Sequence, residues 1–142
     1  MKTNETSERS AGAGGDDFWA DAPIIHAYTR EQALQDGALF DVTMEAAGMF
    51  TIPVAVTGAL MAAIETIPDT GRARYQDKRG RLHDVIWMAM LACKVAPDSS
   101  RVVYTLILDR AGTTRRKNQL ECRIGPGDTP DPVITIGFPE DF

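Results

Sequence analysis

The stretch Arg101-Val102-Val103-Tyr104-Thr105-Leu106-Ile107-Leu108-Asp109 decides the fold, because its apolar side chains divide with a period of two. Val102, Tyr104, Leu106 and Leu108 share one face; Val103, Thr105 and Ile107 share the other. Successive side chains of a strand point to opposite faces, so this is a strand with one face committed to a core. Residues 119–124 alternate more cleanly, with Leu120, Cys122 and Ile124 inward and Gln119, Glu121 and Arg123 outward. In residues 133–138, Ile134, Ile136 and Phe138 share a face. The links, residues 110–118 and 125–132, are rich in turn formers and shorter than the roughly dozen residues a parallel crossover needs. A C-terminal three-stranded antiparallel meander is the expectation.

Working outward, Leu82, Val85, Ile86, Ala89, Met90 and Cys93 recur at helical spacing and predict a long helix over 82–95. Trp87, Met88 and Leu91 make it apolar nearly all round, as in a helix that is covered on most sides or borders a partner. It is shorter than the ~20 residues of a membrane span. Residues 68–81 read as a basic, Gly-punctuated loop, with a turn at Lys78-Arg79-Gly80 that could join two short strands. Thr57 is the expected N-cap of a helix over 58–67, with Leu60, Met61, Ile64 and Ile67 on one face and Pro68 as its stop. Ile52-Pro53-Val54-Ala55-Val56 is extended, and Pro53 confines it to an edge or a strand start. Residues 39–42 form a short apolar run, after which Thr43 caps a brief turn ending at Gly48. Thr29-Arg30-Glu31-Gln32 is a capping box opening a two-turn helix that Gly37 closes and that docks through Ala33 and Leu34. Phe18-Trp19 and Pro23-Ile24-Ile25 read as a short edge strand or an apolar clip.

The expected fold is α+β: the meander packed on the long apolar helix, with smaller N-terminal helices and one or two short strands. Residues 18–142 form a single domain behind a disordered tail at 1–17, which lacks the apolar groups that would offset ordering. With 142 residues, 44% hydrophobic and 25% charged, the composition is that of an ordinary globular chain. The N-terminus has no apolar segment of a secretory signal, so a cytoplasmic location is expected, with no membrane partner.

The net charge of −5 conceals a segregation. Residues 1–69 carry 3 basic and 11 acidic groups, residues 70–123 carry 12 and 5, and the last 19 residues are acidic. Two basic clusters stand out: Arg72, Arg74, Lys78, Arg79 and Arg81 in the loop, and Arg110, Arg115, Arg116 and Lys117 at the hairpin tip. They read either as two solvated loops or as one positive surface for phosphates or an acidic protein patch. The mean charge argues against a general nucleic-acid binder.

Catalytic chemistry has little support. His26, His83, Cys93 and Cys122 show no zinc-ligand spacing, so no metal and no cofactor is expected. Both cysteines fall on apolar faces and read as free thiols. His83 at the start of the long helix, near Tyr75 and Arg79, would make a small pocket and a general base, but no nucleophile accompanies it. Gly125-Pro126-Gly127-Asp128 has no helix with a Lys-Ser/Thr pair behind it, and is a turn rather than a phosphate loop.

The run of Tyr28-Thr29-Arg30, Asp41-Val42-Thr43, Ile52-Pro53-Val54-Ala55-Val56-Thr57, Tyr75-Gln76-Asp77, Gly80-Arg81-Leu82-His83-Asp84-Val85, Trp87-Met88-Ala89, Ile124-Gly125-Pro126-Gly127-Asp128 and Pro132-Val133-Ile134-Thr135-Ile136 resembles an uncharacterised family. That family is found on bacterial plasmids, integrative elements and phages, and the likeness covers residues 22–142. The resemblance implies an accessory protein of a mobile element and supplies no activity. His83 stands where relatives often carry an aromatic, which weakens its catalytic case.

The resulting expectation is a non-enzymatic binding protein acting through a protein–protein surface. Its partner would be a host or element-encoded protein, and inhibition of a host defence system is a sub-hypothesis. A nucleic-acid-binding factor using the two basic loops is the alternative, and a small His83-centred enzyme a third. The apolar helix also leaves room for a homodimer.

Overall fold

The computed structural model describes residues 28–142, without the side chain of Arg72. The expected tail and the segment at Phe18-Trp19 and Pro23-Ile24-Ile25 lie outside the described residues. The chain is α+β: among the described residues, three α-helices accompany a five-stranded mixed sheet.

Helix α1 (Arg30–Asp36) begins as its sequence dictates. Thr29 Oγ1 accepts from Gln32 N and the Gln32 side chain accepts from Thr29 N, both at 3.0 Å, and Gly37 closes the helix at φ 82°. Ala33 is buried, but Leu34, expected beside it in the core, is exposed. Strand β1 (Leu39–Asp41) follows. Then comes a turn in which Asp41 Oδ1 accepts from Thr43 N and Gly48 takes φ 88°. Strand β2 (Val54–Thr57) starts one residue past Pro53, where the missing N–H costs no ladder bond. Thr57 caps α2 (Gly58–Glu65) by accepting from Leu60 N.

The segment expected as a basic loop is ordered differently. Gly71–Tyr75 forms a short 3-10 turn, and α3 runs from Lys78 to Val95, a full turn longer than the apolar period indicates. Asp77 is its N-cap and accepts from Gly80 N at 2.7 Å, so Lys78, Arg79 and Gly80 are first-turn residues, not a hairpin turn. Of its apolar residues, Trp87, Leu91 and Val95 are exposed.

Strands β3 (Arg101–Ile107), β4 (Lys117–Pro126) and β5 (Pro132–Gly137) complete a sheet of order β1-β2-β5-β4-β3. β2 and β5 are parallel, with Val54 opposite Ile134; all other neighbours are antiparallel. The inward residues of β2, β3, β4 and β5 meet Leu60, Met61 and Ile64 of α2 and Leu82, Val85, Ile86 and Ala89 of α3 in one core. The Tyr104 hydroxyl donates to Val85 O at 2.9 Å and ties α3 to β3. On the opposite sheet face of β4, Glu121, expected outward, is 1% exposed.

Candidate functional site

Glu121 marks the site. The β3–β4 register sets Arg101 directly opposite Arg123, both on the sheet face away from α3. Like charges directly opposite repel. Glu121, two residues from Arg123 on the same face, answers both: its Oε2 accepts from Arg101 Nε at 3.0 Å and from Arg123 Nε. Burial raises the Glu121 carboxyl, but the hydrogen bonds and charges of Arg123 and Arg101 outweigh it and hold the group below the usual carboxylate range. The Arg123 guanidinium also lies 4.5 Å over the Phe142 ring, which fixes its plane. Each arginine is thus anchored through Nε. Among the described residues, no acceptor takes a hydrogen bond from either Nη pair.

Both arginines line a cleft of about 930 Å³. One wall is α1, clamped to the β4–β5 turn: Asp128 accepts from Arg30 N at 2.7 Å and from Glu31 N at 3.0 Å. The Arg30 guanidinium reaches across to Thr135 Oγ1 and Ile134 O at 2.7 and 2.8 Å. The other wall is the 3-10 turn Pro139–Asp141, where Asp141 Oδ2 accepts from Thr57 Oγ1 at 2.6 Å and from Phe138 N at 2.9 Å. Gly137 permits that contact, since a Cβ there would lie 2.4 Å from Thr57 Cγ2. Arg30, Asp128 and Asp141 are therefore spent on structure. Among the described residues, that leaves Arg101 and Arg123, with no acceptor on their Nη groups, as the positive charge of this lining open to a ligand, beside Tyr28, Ile124 and Phe142. Such a lining suits an anionic group carried on an apolar body.

The basic residues singled out from the sequence lie elsewhere. Arg81 is buried and caps the end of α2, donating to Ile64 O and Ala63 O at 3.0 and 2.9 Å, to Asp109 O at 2.9 Å and to Gln76 Oε1 at 2.7 Å. It is a structural strut with no charge facing solvent. Lys78 pairs with Glu65 at 2.6 Å; Arg74 and Arg79 are exposed, and the Arg72 side chain lies outside the described residues. Arg116 binds Asp109 at 2.8 Å, and Arg110 donates to Asn118 and lies over the Phe138 ring. Gln76 also donates to Asp109, so the segment before α3 and the β3–β4 hairpin meet around that carboxylate. A cleft of about 280 Å³ there is bordered by Ala73, Arg110 and Arg116. A second, of about 740 Å³, is bordered by Arg110, Arg115 and Lys117. Tyr75 is 84% exposed and His83 stacks at the surface on Trp87; neither borders any of these three clefts. Cys93 and Cys122 are free thiols with Sγ atoms 3.7 Å apart against the core, away from exposed His83.

Arg101, Glu121 and Arg123 were missed by sequence reasoning. Alternation places all three on one face, but their convergence needs the cross-strand register, which depends on the geometry of the hairpin link.

A family model described as a family of unknown function, DUF6573, matches residues 15–142, and the chain belongs to that family. No curated protein and no solved structure matches it.

Proposed function

For this DUF6573 chain we propose a non-enzymatic binding role, in which an acidic segment of a partner protein is held in the cleft by Arg101 and Arg123. The observation that carries the reading is the buried Glu121 carboxylate, which engages through Nε both of the arginines that line the cleft and leaves their Nη groups without an acceptor among the described residues. Fixing the guanidinium groups before binding removes part of the ordering cost of the complex. The resemblance to proteins of plasmids, integrative elements and phages gives the partner a setting: a host protein, with a defence complex as the target. The test uses a labelled oligo-glutamate peptide at low ionic strength. Arg101→Gln with Arg123→Gln should weaken binding by roughly tenfold or more, the scale of one lost charge-assisted contact. Equal affinity for wild type and double variant would remove the cleft from consideration.

A second reading has its own observation: the two basic segments meet around Asp109, with Arg115 and Lys117 exposed beside them. It makes the hairpin end of the sheet a phosphate-backbone contact for nucleic acid. A labelled oligonucleotide should then bind with steep salt dependence and lose affinity on Arg115→Ala with Lys117→Ala, while Arg101→Gln with Arg123→Gln leaves it unchanged. Binding insensitive to salt would exclude this reading.

A further inference from the structure

Cys93 and Cys122 are the chain's two cysteines, and the fold brings them together from different elements. Cys122 is fully buried in β4, paired with Val102 of β3 on one side and Ile136 of β5 on the other. Cys93 lies in the last turn of α3, partly covered, and packs against the core. Their Sγ atoms are 3.7 Å apart, and among the described residues each thiol has the other as its hydrogen-bond partner. A disulfide bond is about 2.05 Å long, so the two sulfurs have to approach by roughly 1.7 Å. Cys122 is held on both sides by strand pairing, whereas Cys93 stands close to the end of α3. Helix ends open more readily than a paired central strand, so the approach falls to Cys93.

The two thiols differ in the way a two-step oxidation needs. Cys93 meets solvent and can attack a soluble oxidant, while Cys122 is shut off from solvent but in contact with Cys93. Burial, and Cys93 beside it, push the Cys122 thiol well above the ordinary thiol range, so it is inert on its own. We infer that Cys93 and Cys122 are an oxidisable dithiol, which a low-molecular-weight disulfide such as oxidised glutathione converts into an intrachain bridge between α3 and β4. First, the Cys93 thiolate attacks one sulfur of the reagent, forming a mixed disulfide and releasing one glutathione thiol. Then Cys122 Sγ attacks Cys93 Sγ and expels the second glutathione, which carries off the Cys122 proton. Two protein thiols are oxidised and one reagent disulfide is reduced. The bridge closes a loop that holds all of β3 and its link to β4, which restricts the unfolded chain. It also pins β4 at the residue between Glu121 and Arg123.

The test incubates the full chain with oxidised glutathione under native conditions, then alkylates it with iodoacetamide in urea without reductant and weighs it. Wild type should be lighter than the reduced chain by two hydrogens and take up no alkyl group, and proteolysis should yield a peptide pair joined through Cys93 and Cys122. Its urea midpoint should rise by roughly 1 M, and reductant should reverse the rise. Cys122→Ala should stop at the mixed disulfide on Cys93, whereas Cys93→Ser should leave Cys122 unmodified while folded. Should either variant fail to fold, the wild-type mass and peptide map decide by themselves. Two alkylated thiols after oxidation, a lasting glutathione adduct on the wild-type chain, or a bridge between two chains would each overturn the inference. So would a bridged chain with a lower urea midpoint, because the bond would then strain the fold instead of completing it.

Discussion

Glu121 shows how one residue can convert two repelling neighbours into a site. Its carboxyl is held below its ordinary range when folded, so it stabilises the fold above the unfolded carboxylate pKa. That contribution is lost as pH falls through the folded value. Arg101 and Arg123 are about half exposed, and solvent screening keeps the effect small. Glu121→Gln should therefore cost on the order of 1 kcal/mol in urea unfolding at neutral pH, and the gap to wild type should close in acid. A gap that persists unchanged in acid would mean that packing, not charge, holds the carboxylate. The period of two assigned Glu121 to the outward face correctly but could not tell that this face is covered there. The carboxylate is held there by two arginines supplied by different strands, which is information about register and not about pattern.

At the scale of elements, legibility tracks how local the determining contact is. The capping box at Thr29, the stop at Gly37 and the N-cap at Thr57 are satisfied within four residues, and each appears where the sequence places it. The start of α3 went unread because Asp77 with Gly80 suits a turn as well as an N-cap, and only the docking of Arg81 against α2 selects the helix. The Gly-Pro-Gly-Asp stretch is likewise more than a turn, since Asp128 caps α1 from a distant part of the chain. Asp128→Ala should cost about 1 kcal/mol, and it should release α1 amides to hydrogen exchange before those of α3. Uniform protection of both helices in the variant would show that α1 does not depend on that carboxylate.

For the whole molecule, the parallel pairing of β2 with β5 sets the timetable of folding. The β3–β4 hairpin closes over a short link, whereas β2 must wait for a strand near the far end of the chain. Non-local pairings are slow because loop closure precedes their reward. In pulsed hydrogen exchange, amides of β3 and β4 should gain protection before those joining β2 to β5; simultaneous protection would contradict this order. During synthesis, β2 leaves the ribosome with its central partner still untranslated. The apolar run Val54-Ala55-Val56 then stands exposed until Pro132–Gly137 emerges. The nascent chain is most vulnerable to misassociation in that interval, and holding chaperones would have their greatest effect on its yield there.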